Sequence, residues 1–109
     1  MSQHLYPSAY KGQPVSILMG WDRPMQRFFM VIELEKAEGI VYSNLDDPDL
    51  GSDGGLPDSL AHFAEKLDEL GLSVPALMIQ QIEIDAANNV GNRRVAYDKE
   101  GRVQGGSEW

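Results

Sequence analysis

Two pairs of side chains have the types and spacing that acid–base or metal chemistry would need. His62 and Glu65 stand three residues apart, which would place two metal ligands on neighbouring points of one helix face. Glu33 and Glu35 share one face of a predicted strand, as the paired carboxylates of a glycosidase would require. No third ligand accompanies His62, since the other histidine, His4, lies in a segment without predicted structure. We therefore expect no catalytic residue, no metal site and no cofactor.

A third group is a polar turn in the second half of the chain. The segment Asn88–Arg94 carries amide and guanidinium groups that could hold a phosphate or a carboxylate. The structural alternative, which we favour, is that asparagine and glycine end a helix while the arginines balance nearby acids. The candidate anion contacts are Asn89, Asn92, Arg93 and Arg94.

The acidic residues are concentrated in one third of the chain. Residues 38–70 hold nine acids and one lysine, and so account for the whole formal net charge of −8. Such a surface repels phosphate backbones and suits a basic protein partner, so we expect no direct binding of nucleic acid. A calcium loop is not indicated, because the twelfth position counted from Asp49 is Leu60 instead of a bidentate glutamate. The candidate interaction residues of this region are Asp46, Asp47, Asp49 and Asp53.

The elements that position these residues begin with a predicted β-hairpin. Alternating apolar residues indicate strands over Val15–Trp21 and Arg27–Glu35, joined by a turn at Asp22–Pro24. The second strand has one apolar face, whereas its other face begins with Phe29 and Val31 and ends with two glutamates. A sheet face open to water is usually polar, so we expect these two apolar side chains to be covered. The N-terminal arm is the simpler cover, and a second subunit in a homodimer is the functional alternative.

The remaining elements define the fold class. Ile40–Leu45 reads as a third strand, residues 46–57 as a long loop, and the spacing of apolar residues over Leu60–Leu70 as a helix that ends at Gly71. A second helix is predicted over Ala76–Asn88, although Ile82–Ile84 would also suit a strand. Arg94–Tyr97 reads as a closing strand, followed by a brief return through 102–104. The predicted fold is therefore α+β: a two-layer, mostly antiparallel sheet of order β-β-β-α-α-β, with both helices on one face and a further short strand as an option.

Length and composition set the domain organisation. The 109 residues, 42% of them hydrophobic, are enough for one small core. We expect an irregular arm over 1–13, a single domain over 14–104 and a flexible tail over 105–109. There is no cysteine, no apolar run long enough to cross a membrane and no secretory signal. These features predict a cytoplasmic protein without a disulfide framework or a membrane partner.

The segment ILMGWDRPMQRFFMVIE (17–33), continued loosely through Pro75–Tyr97, resembles small bacterial proteins of unknown function. This resemblance implies a bacterial cytoplasmic protein with an α+β domain. It implies no activity and no functional residues.

The sequence therefore favours a small acidic protein-binding or regulatory module over an enzyme. Its candidate surfaces are the acidic region and the face that holds Phe29 and Val31. One alternative is a small-ligand domain or small enzyme that uses the turn at Asn88–Arg94. Another is an acidic mimic of nucleic acid that occupies a basic groove on its target.

Overall fold

A six-stranded sheet carries two helices on one of its faces. The structure is a computed structural model that describes residues 1–36, 38–47 and 59–108. The strands are β1 (Ser2–Tyr10), β2 (Gln13–Asp22), β3 (Arg27–Leu34), β4 (Ile40–Ser43), β5 (Arg93–Tyr97) and β6 (Val103–Glu108). The helices are α1 (Ala61–Glu69) and α2 (Ala76–Ala87), and a 3₁₀ turn spans Asn44–Asp46. The predicted α+β class is confirmed.

The order of the strands across the sheet is β4-β3-β2-β1-β5-β6. Neighbouring strands are antiparallel except for β1 and β5, which are parallel. The chain leaves the sheet at β4, passes through both helices and re-enters it at β5, beside the first strand. The two helices thus connect the edge strand β4 to β5, which lies next to the opposite edge strand β6.

The hydrophobic core lies between the helices and one face of the sheet. Every second residue of β2 and β3 points into it, and the register aligns Val15 with Leu34, Ile17 with Ile32 and Met19 with Met30. Phe63 and Leu67 of α1 and Met78 and Ile82 of α2 close the core from the other side. These helical residues recur at intervals of four, which places each pair on one side of its helix.

The N-terminal segment differs from the prediction. Residues 1–13 were expected to form an irregular arm, but Ser2–Tyr10 is a strand that pairs with both β2 and β5. The sequence of this strand does not alternate between apolar and polar residues, because its helix-facing positions hold polar or aromatic residues, among them Ser2, His4 and Tyr6. Pro7 is compatible with the strand because the ladder to β5 covers only Ser2–Leu5.

The C-terminal segment also differs from the prediction. Residues 105–109 were expected to be a flexible tail, but the backbone of β6 extends to Glu108 and pairs with β5. Gly105 and Gly106 lowered the expectation of a strand there, since glycine weakens an isolated strand. Pairing along the whole of β5 supplies the hydrogen bonds that this segment could not supply locally.

The helices follow the prediction closely. Ile82 and Ile84 lie in α2, with Ile82 fully buried and Ile84 exposed, so the helical alternative is correct. Gly71 follows α1 with a φ of +71°, the left-handed conformation that suits glycine. Residues 48–57 of the predicted loop lie outside the described residues. Neither helix of the described ranges is long and apolar enough to cross a bilayer.

Candidate functional site

A buried polar network lies between α2 and the parallel strands β1 and β5. His4, on β1, has no exposed surface, and its Nε2 lies 2.6 Å from Oδ2 of Asp85 on α2. Its Nδ1 lies 2.8 Å from the hydroxyl of Tyr97 on β5. Arg93 donates from one guanidinium nitrogen to Oδ1 of Asp85 at 2.6 Å and from the other to Gln81 at 3.0 Å. Three separate elements are tied together by these bonds.

A neutral His4 ring satisfies both of its hydrogen-bond contacts. A neutral ring with its proton on Nε2 donates to the carboxylate of Asp85 and accepts the hydroxyl proton of Tyr97 on Nδ1. Burial lowers the pKa of His4 below its usual value of 6.5, and this effect exceeds the opposing hydrogen bond and charge of Asp85. Burial also raises the pKa of Tyr97 to about 12. Every polar atom of the histidine ring is satisfied while the ring is neutral.

The Tyr97–His4–Asp85 order matches the nucleophile, base and acid of a hydrolytic triad, but its setting does not suit catalysis. All three side chains are buried, and none of the described cavities is lined by them. The raised pKa of Tyr97 opposes formation of the phenolate that would act as nucleophile. We therefore interpret this network as structural, since its hydrogen bonds hold β1, α2 and β5 together.

In the predicted anion-binding turn, two of the candidate side chains bind other groups of the protein. Arg93 forms an ion pair with Asp85, so the carboxylate that this arginine binds belongs to the protein itself. Asn89, in a left-handed conformation with a φ of +50°, accepts hydrogen bonds on Oδ1 from Trp21 at 3.3 Å and from Gln26 at 2.6 Å. The structural interpretation of the turn therefore accounts for both residues.

The other two candidate anion contacts are exposed. Asn92 accepts a hydrogen bond on Oδ1 from the amino group of Met1 at 3.3 Å. Arg94 is on the opposite side of β5 from Arg93 and donates to Gln3 at 3.3 Å. The four predicted contacts thus do not converge on one point.

Asp47, one of the predicted interaction residues, is not on the surface. It is 7% exposed and accepts hydrogen bonds on Oδ2 from the Tyr42 hydroxyl at 2.6 Å and from His62 at 2.8 Å. The surface prediction is therefore wrong for this residue, because two buried or half-buried donors hold its carboxylate inside. Asp46 is exposed as expected, and Asp49 and Asp53 lie outside the described residues.

Among the described residues, neither of the two pairs that could have carried chemistry is joined by a hydrogen bond or an ion pair. His62 bonds to Asp47, while Glu65 is exposed on α1. Glu33 is exposed on β3, and Glu35 lies beyond the end of that strand beside Lys36 and Lys99. Among residues 1–36, 38–47 and 59–108, no group of three or more histidine, aspartate or glutamate side chains could hold a metal ion.

The face of the sheet opposite the helices, here called the open face, carries a row of apolar side chains. The strand registers align Leu5 with Ala96 on one side and with Leu18 on the other, and align Leu18 with Val31. Leu5, Leu18 and Val31 are each half-buried. No described helix packs on this face, because the buried helical residues all contact the other one.

Phe29 belongs to the open face but does not depend on an outside cover. It pairs with Gly20 across β2 and β3, and a Cβ on that glycine would lie 2.8 Å from Cζ of the Phe29 ring. The ring therefore lies over a position without a side chain and is only 8% exposed. The predicted cover by the N-terminal arm is absent, since that segment is a strand within the sheet.

Comparison of the chain with protein-family models, with curated proteins and with solved structures finds no significant match.

Proposed function

We propose that this protein is a protein-binding module whose binding surface is the open face of its sheet. The observation that supports the proposal is the row formed by Ala96, Leu5, Leu18 and Val31 across four adjacent strands. An antiparallel sheet with one free face normally presents polar side chains there. A contiguous apolar row on such a face is typical of a surface that a second protein covers.

The composition of the open face supports contact with a protein better than contact with a small ligand. The described cavities are shallow, and Leu5, Leu18 and Val31 line none of them. Flat surfaces with an apolar centre and a polar rim are the usual form of a protein interface. Gln3, Ser16 and other polar neighbours would supply that rim.

The acidic region has a secondary role in this proposal. Asp46, Glu65, Asp68 and Glu69 are exposed and carry much of the negative charge that the described part of residues 38–70 presents. Three of them lie on α1, on the opposite side of the sheet from the open face, so they would attract a basic partner to a separate surface. The preference for a basic partner stays a prediction that rests on this charge alone.

Site-specific photo-crosslinking in cells tests the proposal. A photoreactive amino acid at position 18 stands at the centre of the open face, and one at Glu83 stands on the exposed side of α2 as a control. We expect protein adducts from position 18 that disappear when Val31→Lys is also present, and none from position 83. Adducts from position 83 alone, or adducts from position 18 that Val31→Lys does not change, would contradict the proposal.

A further inference from the structure

We infer that the partner of the open face is a second copy of this chain, packed face to face across a two-fold axis. This inference rests on the proposed function and names its occupant.

The charge of the open face differs from that of the rest of the molecule. Alternation along β1, β2, β3 and β5 places four charged side chains on this face, two acidic and two basic: Asp22, Glu33, Arg27 and Arg94. Their sum is zero, whereas the whole chain carries −8. Because of this charge, two copies repel each other in most relative orientations. The repulsion is weakest where two neutral faces with apolar centres meet.

The size of the open face suits a stable pair. Six strands at ~4.8 Å spacing, with about seven residues each on average at ~3.4 Å per residue, give a face on the order of 29 by 24 Å. That is about 700 Å², close to the ~800 Å² that each partner of a standard interface buries. The strands β2 and β1, 10 and 9 residues long, lie in the middle of this area.

Two of the four charges stand at opposite corners of the apolar row. Arg94 is two residues from Ala96 on β5, on the side that also holds Gln3. Glu33 is two residues from Val31 on β3, on the opposite side of the row. Both are exposed, and they lie at the two ends of one diagonal of the face.

A two-fold axis along the other diagonal would bring these corners together. It would place Arg94 of each copy opposite Glu33 of the other, so that the pair contains the contact twice. The apolar rows of the two copies would meet in the centre. Strands of the two sheets would then cross at a large angle, in the orthogonal arrangement that packed sheets adopt.

Charge reversal tests this arrangement with two variants and their mixture. R94E would oppose acid to acid at both contacts, and E33R would oppose base to base, so each variant should self-associate about tenfold more weakly than the wild type. In an equimolar mixture, a pair made of one copy of each variant has opposite charges at both contacts. Sedimentation equilibrium should therefore recover an affinity within about threefold of the wild type. E83R changes the net charge as much as E33R does, at an exposed position on α2 away from the face, and should associate like the wild type.

The outcomes separate this inference from the proposed function. A mixture no tighter than the separate variants, or a wild type that stays monomeric at all concentrations, would overturn the second copy as partner. If position 18 still forms specific adducts with a different protein in cells, the open face remains a protein-binding surface. Absence of any specific adduct from position 18, whether with a second copy or with another protein, would overturn both.

Discussion

His4 and Asp85 are 81 positions apart in the sequence, and their side chains meet at 2.6 Å inside the protein. Their hydrogen bond joins the first strand to the second helix, and Tyr97 and Arg93 extend it to β5. A buried carboxylate is costly unless it is paired and fully hydrogen-bonded, and here both of its oxygens have a partner. The stability of the protein should therefore depend on the protonation of a single histidine.

The first prediction concerns that protonation. The unfolded chain binds a proton on His4 near the usual pKa of 6.5, and the folded protein binds it only at lower pH. The contribution to stability is therefore complete above about pH 6.5 and is lost as the pH falls towards the folded pKa, by at most about 1.4 kcal/mol per pH unit. Urea unfolding between about pH 7.5 and about pH 5 measures it.

His4→Gln isolates this effect from the titration of surface carboxylates. The variant should lose less free energy of unfolding over the same pH range than the wild type. His62→Gln serves as the matched control, because His62 lies in the separate network around Asp47. Parallel pH curves for the wild type and His4→Gln would show that this histidine does not titrate as described.

The second prediction compares two neighbouring arginines. Arg93→Ala removes the arginine partner of Asp85 and leaves the buried carboxylate with the hydrogen bond from His4, which should lower the free energy of unfolding by about 3 kcal/mol. Arg94→Ala removes an exposed side chain from the other side of β5 and should cost less than about 0.5 kcal/mol. Chemical denaturation of both variants measures the difference. Equal losses would mean that the ion pair with Asp85 contributes nothing specific.

The third prediction concerns the close approach at Gly20. A Cβ at this position would lie 1.9 Å from the carbonyl oxygen of Ser2 and 2.8 Å from the Phe29 ring. Gly20→Ala should therefore cost at least about 3 kcal/mol, because the backbone of β1 would have to move. Gly12→Ala, with no atom within 4 Å of the new Cβ but a φ of +79°, should cost about 1 kcal/mol. Thermal unfolding ranks the two, and a milder effect at Gly20 would contradict the packing of β1 on β2.

The fourth prediction separates two adjacent aspartates. Asp47→Ala removes the acceptor of Tyr42 and His62 and should destabilise the protein by about 2 kcal/mol. Asp46→Ala changes an exposed carboxylate and should stay within about 0.5 kcal/mol of the wild type. Calorimetric melting of both variants is the measurement. If Asp47→Ala leaves the stability unchanged, the carboxylate of Asp47 behaves like that of an exposed acid and the prediction is wrong.

The elements that could be predicted are those whose own residues encode their environment. Strands β2 and β3 each have an unbroken apolar side because that side packs on the core, and α1 shows its buried side through the spacing of Phe63 and Leu67. In β1 the helix-facing position of His4 contacts Asp85 and Tyr97 instead of apolar groups. The sequence of β1 therefore lacks the alternation of apolar and polar residues that predicts a strand.

Residue spacing could not predict the buried network, because its members come from three different elements. One local signal was present: Asp85 follows Met78 and Ile82 at the next positions of the buried side of α2. A carboxylate within an apolar stripe indicates a buried polar partner, but not which one. The open face was easier to infer, since Phe29 and Val31 departed from the polar pattern of a free strand face.

The most direct test of the central claim, that a second copy covers the row of Leu5, Leu18 and Val31, is the mass of the protein in solution as a function of concentration. Sedimentation equilibrium of the wild type and of Leu18→Lys, from about 1 μM to about 1 mM, spans the affinities expected of such an interface. The wild type should rise from the mass of one chain towards that of two, while Leu18→Lys stays at one. A wild type that keeps the mass of one chain throughout, or a variant that still pairs, would contradict the account.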